Sequence, residues 1–141
     1  MGGGVLADRY TDVGPPRVVG LGRTLPSVGP RRGDIHFVSF PDAGGNVLRG
    51  PHPAVVVQSD HLARSGTVVL VPMTSSARSA ELEPPYLVAV TALASGLPRD
   101  GFVKCDQPVT LPIGLLGPQA GRLNPDAVER VDAALRFVLG L

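Results

Sequence analysis

The sequence predicts a β-rich α+β fold: a small barrel of short strands finished by one C-terminal helix. Three features point there. Gly 18 and Pro 15 are abundant, aromatic residues make up 4% and Trp is absent, a composition that suits short strands and many turns. Two runs of branched residues, Ala54–Val57 and Val68–Val71, are bounded by Pro, Ser and Gly, and stiff branched side chains fit a pleated surface. After Asn124 the apolar residues recur at spacings of three and four, the period of a helix.

Residues 1–30 carry Gly2–Gly4, Pro15, Pro16, Pro26 and Pro30 with little apolar periodicity. They read as a flexible Gly/Pro-rich tail, with a docking segment as the functional alternative. The domain, 31–141, opens at Arg31-Arg32-Gly33-Asp34 and runs into IHFVSF. Its alternation sets Ile35, Phe37 and Ser39 on one face and His36, Val38 and Phe40 on the other. Pro41 ends this strand, and DAGGNVLRG is a loop whose glycines permit close approach to a ligand. The two branched runs follow. Their link, with Ser59, Asp60, Ser65 and Gly66, is too short for a crossover, so they form an antiparallel hairpin with Asp60 capping the link.

Arg78–Pro85 is polar and proline-punctuated, a second loop beside the same strand end. Tyr86–Val90 and Phe102–Cys105 are further strands, separated by the turn-rich ASGLPRDG. Gln107–Leu111 extends the sheet at an edge or bulge, because Pro108 lacks a backbone donor. The last element is a helix with Asn124 as N-cap, Pro125 in the first position and Gly140 as the stop. Val128, Val131, Leu135 and Val138 form its apolar stripe, and Asp126/Arg130 and Asp132/Arg136 pair along it.

At 141 residues the chain suits one domain. A single cysteine, Cys105, excludes an internal disulfide, no apolar run approaches the roughly 20 residues that span a bilayer, and the start lacks a signal-peptide pattern. A cytoplasmic protein with no membrane partner is expected. Net charge is +1, from 13 Lys+Arg against 12 Asp+Glu, which is no footprint of a bulk polyanion binder. No GxSxG, P-loop or GxGxxG is present, and Cys105 has no flanking His to make it a nucleophile. Asp34 and Asp42 belong to no His/Cys/carboxylate cluster with ligand spacing, so no metal and no other cofactor is expected.

With Gln58 roughly opposite Thr67, counting outward along the hairpin brings His52 level with Met73 or Thr74. Directly opposed side chains lie about 5 Å apart at Cβ. A histidine and a hydroxyl thus meet at the open end of the hairpin. Plainer readings stand beside this one. His52, between two prolines, also suits satisfying a loop carbonyl, and Thr74, Ser75 and Ser76 suit strand-end turn chemistry. Arg49 is a solvated loop residue or an anion contact, and His36 and His61 read as structural.

Five segments in series resemble the MazF/PemK (Kid-like) family of toxin endoribonucleases: RRGDIHFVSF, HPAVVVQSD, VVLVPMTSS, GLPRDGFVKCDQPVTL and GRLNPDAVERVDAALRFVLGL. The resemblance covers Arg31 to Leu141. It implies an SH3-like β-barrel of the plasmid maintenance toxin type with a C-terminal helix, a homodimer, and inhibition by a cognate MazE-like antitoxin. It also implies sequence-specific, metal-independent cleavage of single-stranded RNA (mRNA interferase activity), in which the ribose 2′-hydroxyl attacks and leaves a 2′,3′-cyclic phosphate and a 5′-hydroxyl. The family's threonine falls on Thr74, and its arginine before the second-strand proline falls on His52.

Arginine holds phosphate but, with a pKa above about 12, is a poor base, whereas histidine ordinarily titrates near pH 6.5. The exchange therefore implies proton transfer by His52, with Arg49 supplying positive charge. Gln107 resembles a position lining the family's RNA groove. Ser75 and Ser76 beside Thr74 are candidate RNA contacts, and Arg32 and Arg78 read as surface charges with contact to the RNA backbone as the functional alternative. Where the family tends to carry basic residues after the Gln107 position, this chain has Val109, Pro112 and Ile113. The alternative is a catalytically weakened or inactive homologue that acts as a binding or inhibitory protein, as CcdB-like relatives do on the same fold.

Overall fold

The computed structural model describes residues 29–75 and 84–141. The predicted tail, up to Val28, and the loop segment 76–83 lie outside the described residues. Among the described residues seven strands form: β1 (Asp34–Phe40), β2 (Gly50–Val56), β3 (Thr67–Thr74), β4 (Leu87–Val90), β5 (Gly101–Lys104), β6 (Val109–Pro112) and β7 (Gln119–Arg122). A one-turn helix, α1 (Ala92–Ser95), interrupts them, and α2 (Pro125–Leu139) ends the fold. The ladder runs β4-β5-β3-β2-β1-β7, with β6 paired to the other part of β3, and every pairing is antiparallel.

This order is open, where the sequence reading expects a closed barrel. Its two ends, β4 and β7, face helices instead of each other. Arg130 of α2 donates from Nη1 to the Ala89 carbonyl at 2.7 Å, which occupies an acceptor on the β4 edge. Against β7 lies α1, so close that a Cβ on Gly121 would stand 2.2 Å from the Ser95 carbonyl oxygen. Both edges are covered without strand pairing, one of the ordinary ways of blunting a sheet edge.

Neither α1 nor β7 is among the elements the sequence reading expects. In the turn-rich link, Thr91 Oγ1 accepts from the Ala94 amide at 3.1 Å and Asp100 Oδ1 accepts from the Ala92 amide at 2.7 Å. These bonds satisfy donors that a helix start leaves open, and Gly96 ends the turn at φ 77°. Gln119–Arg122 has no branched residue, yet it pairs because the β1 edge needs partners: Phe37 N–H donates to the Pro118 carbonyl, and Gly117 N–H to the Phe37 carbonyl. In the hairpin link a 3-10 turn, Asp60–Leu62, is capped by Ser59, not Asp60. Asp60 instead accepts from the Arg32 amide at 2.7 Å.

The sheet buries both faces. On one, Ile35, Val55, Val71, Met73, Val90, Val103 and Cys105 pack with Leu123, Ala127, Val131 and Ala134 from the helix side. On the other, Val38, Phe40, Ala54, Val56, Val68, Leu70 and Leu111 form a smaller core. The predicted alternation of β1 matches this split, with Ile35 in the first core and Val38 and Phe40 in the second. Asn124 caps α2 by accepting from the Ala127 amide at 2.9 Å, Pro125 is its first residue and Gly140 ends it at φ 71°. Among the described residues no helix is long and apolar enough to cross a membrane.

Candidate active site

The site begins with three prolines. Strands β2 and β3 pair as Val56↔Leu70, Val55↔Val71 and Ala54↔Pro72, and there the ladder stops. Pro51, Pro53 and Pro72 have no N–H to donate, so pairing across this gap lacks its donors. Beyond it the strands part. Gly50–Pro53 stays with β1, whereas Met73 and Thr74 pair with Val103 and Phe102 of β5. Gly101 permits that second pairing, since a Cβ there would lie 3.0 Å from the Thr74 carbonyl oxygen.

The fork opens a cavity of about 370 Å³, lined by His52, Thr74, Ser75, Arg99 and Asp100 among others. Phe37, Leu97 and Pro98 add apolar wall. The predicted direct opposition of His52 and Thr74 across the hairpin does not form, because the ladder ends at Ala54↔Pro72 and His52 pairs with Val38 while Thr74 pairs with Phe102. The two residues instead line the same cavity from either side of the fork. The anchor of that prediction is also one residue out: counting on from Val56↔Leu70 sets Gln58 level with Val68 rather than Thr67. Gln58 ends the ladder with its side chain, accepting from the Val69 amide at 3.2 Å and donating to the Leu62 carbonyl at 3.3 Å. By strand alternation His52 and Thr74 fall on the face of the smaller core, with Ala54 and Leu70.

The His52 ring is half-buried and tilted against Phe40, with centroids 6.5 Å apart. Its Nε2 lies 3.0 Å from the Arg49 carbonyl. A carbonyl oxygen only accepts, so Nε2 carries the hydrogen, and Nδ1 of the neutral ring carries the lone pair. The loop-carbonyl reading and the base reading are thus compatible: one nitrogen does each.

Other predicted residues go elsewhere. Arg49 lies on the exposed loop between β1 and β2, its Nε 3.9 Å from an Asp42 carboxylate oxygen, and lines a separate open hollow with Gly45, Asn46 and Leu48. Gln107 spans to that same loop, accepting from the Leu48 amide at 2.9 Å and donating to the Asn46 carbonyl at 3.1 Å. Arg32 is tied into the scaffold, with its guanidinium on Asp132 of α2 and on the Val57 carbonyl. Ser76 and Arg78 lie outside the described residues. Asp34 accepts from the Arg31 amide and pairs with Arg122. His36 sets Nδ1 2.9 Å from the Gly117 carbonyl and buries Nε2. Burial, aided by Asp106 and Asp132, pushes the Cys105 thiol up to about 12, which keeps it protonated and unreactive.

Among the described residues Arg99 is the permanent cation lining the cavity, and sequence reasoning passes over it. It sits in a link that looks like plain turn, and only the pairing of β5 with the Thr74 end of β3 brings it near. A cation two residues before a Gly-led strand was the available signal.

A family model described as "PemK-like, MazF-like toxin of type II toxin-antitoxin system" matches residues 31–139. The probable endoribonuclease MazF of Mycolicibacterium smegmatis is 31% identical over 111 residues, which cover 79% of this chain and 97% of that protein. Endoribonuclease EndoA of Bacillus subtilis is 29% identical over 112 residues, 79% of this chain and 95% of its own. A mycobacterial endoribonuclease solved in complex with its cognate antitoxin matches with a TM-score of 0.64 at 28% identity, covering 80% of this chain and 97% of that one. MazF from Deinococcus radiodurans, at 23% identity, shares the fold with a TM-score of 0.67 over 80% of this chain and 98% of its own. With a forked sheet, a terminal helix and a match over nearly the whole domain, the chain belongs to the PemK-like, MazF-like toxin family of type II toxin–antitoxin systems.

Proposed function

We propose that this chain is the toxin of a type II pair and a sequence-specific endoribonuclease that cuts single-stranded RNA without a metal. One observation carries the reading: an imidazole, hydroxyls and a guanidinium line a single cavity at the strand fork. Transesterification at a phosphodiester asks for that set. In the reaction Nδ1 of His52 takes the proton of the ribose 2′-hydroxyl, and the 2′-oxygen bonds to phosphorus. The bond from phosphorus to the 5′-oxygen breaks, and that oxygen takes a proton from water. The products are a 2′,3′-cyclic phosphate and a 5′-hydroxyl. Thr74, Ser75 and Arg99 hydrogen-bond the non-bridging oxygens as their charge grows.

Around this centre the finer assignments are proposals too. The open sheet is a variant of the SH3-like barrel, and two copies pair to complete a groove for single-stranded RNA. Arg49, Ser76 and Arg78 meet the RNA backbone along that groove in the cytoplasm. The antitoxin-bound state of the mycobacterial and Deinococcus relatives supports a cognate antitoxin as the natural partner.

The test incubates the purified protein with a long RNA in EDTA and maps the new ends. Discrete cuts bearing 5′-hydroxyls are expected, and His52→Ala should slow them by about 10²–10⁴-fold, the usual worth of a general base. RNA left intact at high protein concentration would instead favour the inactive, binding or inhibitory homologue.

A further inference from the structure

We propose that Gln107 is a positioning residue for His52, acting through the β1–β2 loop. This rests on the nuclease reading above and adds to it the device that orients the base. Residues 41–49 are almost wholly exposed, so little packing holds them. Their internal bonds are local, such as the Gly44 amide on Asp42 at 3.0 Å. Among the described residues, the two hydrogen bonds that tie this loop to anything beyond its flanking strands β1 and β2 both involve the Gln107 amide, in the β5–β6 link, with Leu48 and Asn46. One side-chain amide thereby acts as a two-bond strand bridge.

The clamp ends one residue before Arg49, whose carbonyl accepts the Nε2 hydrogen of His52 at 3.0 Å. Peptide planarity carries the constraint across that single residue, since only φ and ψ of the intervening backbone stay soft. Fixing Leu48 therefore fixes the acceptor that fixes the ring. With Nε2 held, turning the ring over would break that hydrogen bond, so one orientation is favoured, and Nδ1 has no hydrogen-bond partner among the described residues. The charged groups around the ring stay outside this relay: Asp42 and Arg49 on the loop, and Arg99 and Asp100 across the cavity. Gln107 itself does not line the cavity, so its effect on rate must pass through the loop.

Gln107→Ala should lower kcat about ten- to a hundred-fold while KM changes by less than about two-fold, because misplacing a reacting group costs rate more than binding. In a His52→Ala background the same change should cost less than about two-fold, since residues acting as one unit do not add. Gln107→Glu keeps the acceptor for Leu48 but loses the donor to Asn46, so its loss should be intermediate. On the free protein, amide exchange at Leu48 should quicken in Gln107→Ala and the His52 ring signals should change. A higher KM at unchanged kcat, or an equal loss in both backgrounds, would mean direct RNA contact and overturn the proposal. So would unaltered Leu48 exchange and His52 signals. Those two spectra need no cleavage, so they decide the clamp even if the wild-type protein cuts nothing, an outcome that refutes the nuclease reading alone.

Discussion

Two arginines near His52 differ in what surrounds them, and that difference sets what each contributes. Arg49 is exposed and 3.9 Å from Asp42, a geometry in which solvent and salt screen most of its charge. Arg99 lines the cavity, where an oriented donor aimed at a developing phosphorane is worth more. Arg99→Ala is therefore expected to lower the cleavage rate by about 10²-fold, the usual loss for one such donor. Arg49→Ala should mainly weaken RNA binding and reduce its salt dependence, and cleavage assays over a range of salt separate the two. Cys105 gives a second prediction at this scale. Its thiol is raised from 9.0 to about 12 in the fold, so the folded chain keeps its proton at a pH where the unfolded chain loses it. That contribution to stability is complete below pH 9 and is lost as pH rises towards 12. Urea midpoints should fall above pH 9, and Cys105→Ala should flatten that part of the curve.

Among the elements, those with strong local signals are the ones the sequence foretells. Asn124, Pro125 and Gly140 punctuate α2 by backbone chemistry that needs no partner, and the branched runs of β2 and β3 announce themselves in the same way. The strand β7 has no such signal. It exists because β1 has open backbone groups and because Gly121 lets α1 come against it. Gly121→Ala puts a methyl group 2.2 Å from the Ser95 carbonyl oxygen, so α1 must move off β7. A loss of about 1–3 kcal/mol is expected, the usual cost of overpacking, and urea unfolding measures it. An unchanged midpoint would show that α1 does not depend on this contact.

At the scale of the molecule, the site is a product of topology. Three prolines end the β2–β3 ladder, β3 transfers its last two residues to β5, and the gap so made is the cavity. The sequence by itself determined the strands of the hairpin, the terminal helix and the family, because periodicity, capping and short motifs are local matters, whereas His52 and Thr74 share a cavity through the fork and not through hairpin pairing. Only the tertiary structure decided that the sheet stays open, that Arg99 joins the site, and that Arg32 and Gln107 turn to the scaffold. Those outcomes depend on contacts between distant segments, such as Arg32 with Asp132 and Gln107 with Leu48. A side chain of this kind has several partners within reach along the chain, and the closing of the sheet selects among them.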